Sequence, residues 1–330
     1  TWTGAVDDLW STDGNWLDGT APTPADSAIF NAGNSGGLNV VEPNFQPLSG
    51  PIKVITGLQY LGNGVHTTDV TSGIELQVNG TASVGFGDGT NGGTATWTGE
   101  GSFSANTLGV SRNNVGVGNN VGLLNLTTGT DISSQLLLGW VDGGPGSADG
   151  TLVLDSNSVL NVGTPTTRAN SIFLGTNESG DAASSATGVL NALDGTANLR
   201  VSNLNIGRSL FGQSASGTLL WDQAAAIDAT TVNISLGAGA VGTIDTPAGG
   251  TLKLDVGNLV IGREDRGVAG VASGTLDLTT TNPTFEANIG SQLLLGWVDG
   301  GPGSADGTLV LDSNSVLNVG TPTTRANSIY

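Results

Sequence analysis

The sequence predicts an all-β fold: a parallel three-strand β-helix solenoid, right-handed as such coils usually are, with an aromatic cap at its amino-terminal end. Residues 134–172 recur without a single change at 291–329, which indicates a repeat architecture. Short strands that alternate apolar and polar residues recur along the chain, and Gly, Asn, Asp, Ser and Pro fill the gaps between them. No segment carries the apolar stripe of a helix.

Each coil is predicted to contain three strands. The first ends in glycine, as in QLLLG (135–139), the second resembles GTLVL (150–154), and the third resembles SVLNVG (158–163). Five coils separate Gly139 from Gly296, so the mean coil is about 31 residues and the chain holds about nine coils. Coils stacked ~4.8 Å apart would form a rod roughly 45 Å long around one apolar core. The glycines expected to end the first strand are Gly62, Gly85, Gly109, Gly139, Gly175, Gly207, Gly237, Gly262 and Gly296. A Gly-rich β-sandwich or jelly roll is the alternative fold.

The amino-terminal segment differs from the rest of the chain, so we divide the sequence into a Trp-rich cap at 1–50 and a solenoid at 51–330. Three tryptophans, Trp2, Trp10 and Trp16, lie in the first sixteen residues. The end of a solenoid presents open strand edges, and bulky aromatic side chains folded over the first coil would cover them. Sugar binding by the same tryptophans is the alternative interpretation.

The order of residues in this segment resembles the start of autotransporter-type passenger regions. It also resembles bacterial surface proteins that carry the autotransporter-associated or the PEP-CTERM-associated β-strand repeat. The strands LLLG, GTLVL and SVLNVG are similar to the repeat core of those proteins. The resemblance implies export from a Gram-negative-type bacterium, a secreted or cell-surface location, and a role as a stalk or adhesive surface. It is carried in the cap by Trp2, Gly4, Trp10, Asn15, Trp16, Pro22, Asp26 and Phe30.

Composition excludes several classes of partner and chemistry. Asp and Glu number 28 against nine Lys and Arg, for a net charge of −19. This charge argues against nucleic acid as a partner, because binding its phosphates requires clustered Lys and Arg side chains. It also argues against docking on anionic lipid. No apolar run is long enough to insert into a membrane. The chain has no Cys, which excludes thiol nucleophiles and thiolate metal sites. Neutral glycans and the cell surface remain possible partners.

Three short motifs match the sequence patterns of catalytic or nucleotide-binding sites but lack the neighbouring secondary structure or groups that such sites require. Ser35 lies in GNSGG, the spelling of a nucleophile elbow, but no strand precedes it and no helix follows it; the single histidine is His66. The segment 87–92 spells a dinucleotide fingerprint, but a strand follows it rather than a helix. Residues 263–266 (REDR) could supply the carboxylates of a glycan-cleaving groove, or could form a solvated turn. We therefore predict that the chain is not an enzyme and uses no cofactor.

A duplicated Asp-rich turn could hold a hard cation. Asp142 and Asp149 flank GGPGSA, and Asp299 and Asp306 flank the second copy. The motif nearly spells the GGxGxD calcium repeat but lacks its nine-residue period. Turn formation explains the same residues, and we predict no metal site.

The residue that follows each strand-ending glycine is predicted to form a column on one face. From Gly139 onward this column would read Trp140, Thr176, Arg208, Ala238, Arg263 and Trp297. Aromatic rings and Arg on a flat face suit a glycan platform, and solvated turns are the alternative. The candidate platform residues are Trp140, Arg208, Arg263 and Trp297.

The function predicted from these features is structural or adhesive. The sequence ends at SIY, where the first copy continues SIFLG. A coil completed by another subunit would give a head-to-tail filament or surface fibre. A polysaccharide-binding or polysaccharide-cleaving β-helix is the alternative.

Overall fold

A computed structural model describes residues 1–31, 37–45, 50–62, 64–87, 92–114, 117–300, 302–320 and 328–329. In these ranges the only helix is a single 3-10 turn at Asp13–Asn15. The strands in chain order are β1 (Ser27–Asn31), β2 (Leu38–Val41), β3 (Ile52–Ile55), β4 (Gly57–Leu61), β5 (Val65–Val70), β6 (Glu75–Gly87), β7 (Gly92–Thr98), β8 (Ser102–Asn113), β9 (Asn119–Leu126), β10 (Gly129–Val141), β11 (Ser147–Leu154), β12 (Val159–Val162), β13 (Ala169–Asn177), β14 (Ser185–Ala192), β15 (Thr196–Ser209), β16 (Ser214–Trp221), β17 (Ile227–Leu236), β18 (Ala240–Asp245), β19 (Thr251–Glu264), β20 (Val271–Asp277), β21 (Thr284–Val298), β22 (Ser304–Val310), β23 (Val316–Val319) and β24 (Ser328–Ile329).

The named strands form two parallel sheets that wind around one axis as a solenoid of about nine turns. One sheet has ten strands in the order β2-β5-β7-β9-β11-β14-β16-β18-β20-β22. The other has fourteen, along the path β1-β4-β6-β8-β10-β12-β15-β17-β19-β21-β23. Strands β3, β13 and β24 pair with members of this path. The β-solenoid that the sequence predicts is confirmed.

The three predicted strand classes are distributed over two sheets, because two of them run together as one bent strand in most coils. Strand β10 shows the arrangement: Gly129–Ile132 pairs with β12, and Gln135–Val141 pairs with β13. Its pairing with β8 shifts register between Ile132 and Gln135. The bend in the fourteen-stranded sheet therefore falls between the SVLNVG-type and QLLLG-type segments.

Side chains of equivalent residues stack into ladders inside the solenoid. Leu138 pairs with Leu174, Leu174 with Ile206, and Ile206 with Ile234. All four are fully buried. Burying one such side chain contributes roughly 1.5–3 kcal/mol, so the stability of each coil depends on the coils on both sides of it.

Glycine brings the two sheets together at one corner of the coil. Gly150 pairs with Gly122 on one side and with Gly188 on the other. Gly139, on the facing strand, has a φ of 64°. A Cβ on Gly139 would overlap the Thr187 carbonyl oxygen. The backbones approach too closely at this corner for a side chain.

Serine replaces glycine at this corner in the coil of β8, and the expectation that Gly109 ends that strand is wrong. Gly109 pairs with Leu137, and the residue in the left-handed conformation is Ser111, with a φ of 57°. The Ser111 hydroxyl donates a 2.8 Å hydrogen bond to the Asn120 carbonyl. This bond joins the two sheets and compensates for the strained backbone.

The same correction applies to Gly237, because Ser235 takes the corner position in β17. Ser235 has a φ of 65°. Its hydroxyl donates to the Ser273 carbonyl at 2.5 Å and accepts the Gly242 N–H at 2.6 Å. Serine thus satisfies polar groups at a corner where most coils use glycine.

The Trp-rich segment folds over the first coil as an aromatic cluster. The rings of Trp2 and Trp16 lie 5.0 Å apart, and those of Trp10 and Phe45 lie 5.2 Å apart, both edge to face. Phe30, on β1, stacks on Tyr60 of the next coil at 5.1 Å. Strands β1 and β2 lie within residues 1–50 and pair in parallel with β4 and β5. The aromatic segment and the solenoid therefore share one core.

Hydrogen bonds hold the cap in place. The Trp10 indole N–H donates to the Asn39 side-chain oxygen at 2.8 Å, and that of Trp16 donates to the Trp10 carbonyl at 2.9 Å. Asn15 is fully buried, and its side-chain oxygen accepts the Val6 N–H at 2.9 Å. The tryptophans are thus buried on their apolar faces and bonded at their polar edges, which is the geometry expected of a cap.

Candidate functional site

All four predicted platform residues lie in one column on the outside of the fourteen-stranded sheet, which we call the outer column. Trp140 pairs with Thr176, Thr176 with Arg208, and Arg263 with Trp297. Most of its side chains are partly exposed, whereas Thr176 is buried. Along the axis the column reads Phe86, Arg112, Trp140, Thr176, Arg208, Leu236, Arg263 and Trp297.

Two members of the outer column differ from the expectation. Leu236, rather than Ala238, pairs with Arg208 and Arg263, because the corner in this strand falls at Ser235. Arg112 also belongs to the column, which was predicted only from Gly139 onward. A serine directly before the column residue, as at Ser111 and Ser235, marks the corner in these two strands.

Each arginine of the outer column forms an ion pair with an acid of a neighbouring coil. Arg208 contacts Glu178 at 2.6 Å, and Arg263 contacts Asp299 at 3.3 Å. Arg112 pairs with Asp142 through two guanidinium nitrogens. These arginines are therefore used to connect adjacent coils along the axis.

Aromatic rings of the same face pack on these arginines and on one another. The Arg112 guanidinium lies 5.3 Å from the Phe86 ring centre. The Arg208 guanidinium lies 5.4 Å from the ring centre of Phe173, whose ring meets Trp140 edge to face at 4.8 Å. The Trp140 indole nitrogen is buried without a hydrogen-bond partner. The rings and arginines of this face thus contact one another. Glycan binding by the outer column remains a prediction.

The Asp-rich turns are placed by the structure in two different settings. Asp142 and Asp299 are engaged by Arg112 and Arg263, as described above, whereas Asp149 and Asp306 are exposed on their strands. Within the described ranges, no three His, Asp or Glu side chains come together as potential metal ligands. Aspartates elsewhere form turns, since Asn157, Ala183 and Asn314 each donate a backbone N–H to the aspartate two residues earlier.

The residues considered for catalysis do not form a common site in the described structure. His66 packs beside the stacked rings of Phe30 and Tyr60, 5.7 and 5.8 Å from their centres, and burial lowers its pKa. Ser35 and residues 88–91 lie outside the described residues. Glu264 is fully buried and accepts the backbone N–H groups of Arg266 and Val268, at 2.9 and 3.3 Å. It therefore stabilises a turn.

A groove that the sequence analysis did not predict runs along the bend of the fourteen-stranded sheet. We call it the bend groove; its volume is about 920 Å³. It crosses six neighbouring strands, from β6 to β17. Its polar lining includes Glu75, Gln77, Asp131, Asn161, Asn198 and Asp228.

Several polar side chains in the bend groove are linked from coil to coil. Asn161 donates its amide N–H to Asp131 at 2.7 Å and accepts that of Asn198 at 2.8 Å. At one end, Asp228 pairs with both Arg168 and Arg200. At the other, Ser104 donates its hydroxyl to Glu75. The groove therefore has an ordered polar wall.

No family model, no curated protein and no solved structure matches the chain. Among the described residues, none forms a helix with the length and apolarity that a membrane crossing requires.

Proposed function

We propose that this chain is an extracellular structural and adhesive rod, exported to the surface of a Gram-negative-type bacterium. The observation that carries the proposal is the continuous core, which runs from the aromatic cap through about nine coils. Ion pairs between coils on the outer face add lateral connections along the same axis. Such a fold holds a long surface rigid, which suits a stalk or an adhesive module.

Localisation on intact cells tests this proposal most directly. Antibodies raised against the purified chain should label unpermeabilised cells of the source bacterium in immunogold electron microscopy. Deleting the coding sequence should abolish the label and reduce attachment of cells to a surface. Labelling that requires permeabilised cells would contradict an extracellular role, and unchanged attachment in the deletion strain would contradict an adhesive one.

Head-to-tail association is the finer form of this proposal. Exposed apolar side chains lie on the cap, at Val6 and Leu17, and on the last described coil, at Leu311 and Val316. Burying these two surfaces against each other would extend the rod by one subunit per contact. Light scattering should find polymers whose mass rises with concentration, and Leu17→Asp should shorten them. Monomers at all concentrations would contradict this form of association.

The proposal includes no catalytic activity. The single histidine is buried beside two aromatic rings, and the outer-column arginines are held by acids of neighbouring coils. Incubation with neutral and acidic polysaccharides should release no reducing ends and no unsaturated products. Release by the purified chain, lost after heat denaturation, would establish an enzyme instead.

A further inference from the structure

The bend groove has the dimensions of a site for an extended polymer. It follows the solenoid axis across β6, β8, β10, β12, β15 and β17. Six strands at ~4.8 Å spacing give a length of roughly 24 Å. Because each coil contributes one step, the groove presents similar groups at a regular interval. A linear ligand with a short repeat could contact each coil in turn.

The lining combines an apolar floor with polar walls. Val78, Ala105 and Ile132 reach the groove at the bend, although each is almost fully covered by its neighbours. The polar column Gln77, Ser104, Asp131, Asn161, Asn198 runs beside them, one residue per strand. A concave surface with an apolar base and a few ordered polar groups is typical of ligand sites.

The amides in this column keep hydrogen-bonding capacity for a ligand. A primary amide has two N–H donors and two acceptor lone pairs. Asn161 uses one N–H on Asp131 and accepts one from Asn198. One N–H and one lone pair of Asn161 therefore remain, and neighbouring hydroxyls of a sugar ring offer the matching acceptor and donor.

The charge of the groove differs from that of the whole chain. Its carboxylates are Glu75, Asp131 and Asp228, and Arg168 and Arg200 both pair with Asp228. Even with Arg168, which lies beside the lining, three carboxylates face two arginines, so the groove carries one net negative charge, while the chain carries a net charge of −19. Acidic polymers would be repelled by the surrounding surface, and the groove has no concentration of acids to hold a cationic one.

We propose that the bend groove binds an extended, uncharged polysaccharide whose chain runs parallel to the solenoid axis. The polymer lies in the concave bend, where its hydroxyls exchange hydrogen bonds with the amide and carboxylate column. This site is separate from the outer column. It does not depend on the rod being adhesive, because a structural rod without an adhesive role could also bind glycan.

The duplicated segment provides a matched control for testing the groove. Asn161 lines the groove, and Asn318 is the same residue of the second copy, outside it. The Asn161–Asp131 hydrogen bond of 2.7 Å has its counterpart in the Asn318–Asn288 bond of 2.9 Å, since both asparagines donate to the preceding coil. The double variant Asn161→Ala/Asn198→Ala removes the Asn161–Asp131 and Asn198–Asn161 bonds. The control Asn288→Ala/Asn318→Ala removes the corresponding bond between adjacent coils outside the groove.

Native affinity electrophoresis should use gels that contain hydroxyethyl cellulose, laminarin or galactomannan, with polygalacturonate as the acidic comparison. We expect at least one neutral polymer to retard the chain and polygalacturonate not to. Loss of the groove amides should weaken retardation about tenfold, since two or three hydrogen bonds to the ligand are lost. The control pair should bind like the original chain.

Three results would overturn the proposal: no retardation by any neutral polymer, stronger retardation by polygalacturonate, or equal weakening by the two double variants. Circular dichroism and melting temperature should be measured for both variants to verify that each is folded. The localisation and attachment experiments proposed above do not involve these residues, so their failure would leave the groove result standing.

Discussion

Two copies of one sequence, residues 134–172 and 291–329, occupy different positions in the solenoid and differ in burial. In the first copy Leu154 is 1% exposed, whereas its counterpart Leu311 is 37% exposed. Leu160 is fully buried, and Leu317 is only partly buried. The first copy has coils on both sides, and the second forms the last coil that the structure describes.

This difference shows that burial in the solenoid is set by neighbouring coils, since the residues themselves are the same. A coil cannot cover its own ladder side chains, and its stability is the sum of an intrinsic term and two interface terms. The duplication therefore permits the same substitution to be made in identical local sequence with one interface weakened. Three pairs of substitutions use the duplication, and a fourth measurement uses the capped end; their expected effects decrease from the corner glycine to the ion-paired aspartate.

Substituting the corner glycine should have the largest effect. A Cβ on Gly139 would overlap the Thr187 carbonyl, whereas one on Gly296 would lie 3.0 Å from the Ala305 carbonyl. Both have a φ of 64°, so the backbone strain of alanine is the same at the two sites. Gly139→Ala should cost more than about 4 kcal/mol, and Gly296→Ala much less. Urea unfolding followed by circular dichroism measures both, and equal costs would contradict the corner geometry.

Truncating a ladder leucine should have the next largest effect. Leu160→Ala leaves a cavity between two coils and should lower the free energy of unfolding by about 3 kcal/mol. Leu317→Ala removes a side chain that is covered on one side and should cost less than half of that. The same urea titrations compare them. If the two substitutions cost the same, the second copy must be covered as fully as the first.

The capped end extends the comparison to a terminal coil with a filled core. His66 is almost fully buried there, and burial lowers its pKa. Below the unfolded-state pKa of about 6.5, the unfolded chain binds a proton that the folded chain does not. Stability is therefore complete above this pH and should decrease as the pH falls below it.

Hydrogen exchange between pH 7 and pH 5, corrected for the intrinsic exchange rate, should show loss of protection in the first coils and not around 291–319. His66→Phe should remove this pH dependence, because phenylalanine has no titrating group and suits the surrounding rings. A variant that keeps the same dependence would assign it to another group, such as the cap carboxylates.

The sequence was sufficient to predict the repeat, the strand classes and the cap, because each depends on local patterns of apolar residues, glycines and tryptophans. It was insufficient at Ser111 and Ser235, where a hydroxyl replaces glycine through hydrogen bonds to the facing sheet. Those contacts join residues of different sheets, and no spacing within a strand reveals them. The error at Ser235 put Ala238 into the predicted column in place of Leu236.

The bend groove could not be predicted for a related reason. Its polar residues, such as Asp131 and Asn161, alternate with core residues and appear in the sequence as the outer face of an ordinary strand. They line a concave surface only because the sheet bends after Ile132 and Val78. That bend is a property of several stacked coils together.

The smallest effect is expected at the duplicated aspartate that pairs with an arginine. The Asp142 side chain is 25% exposed beside Arg112, and that of Asp299 is 58% exposed beside Arg263. Exposed ion pairs contribute about 0–1 kcal/mol and are weakened by salt. Asp142→Asn should therefore cost a few tenths of a kcal/mol more than Asp299→Asn. The difference should shrink when the urea titrations are repeated at about 1 M salt. A larger cost at Asp299 would mean that the contribution of these ion pairs to stability does not depend on how closely adjacent coils are packed.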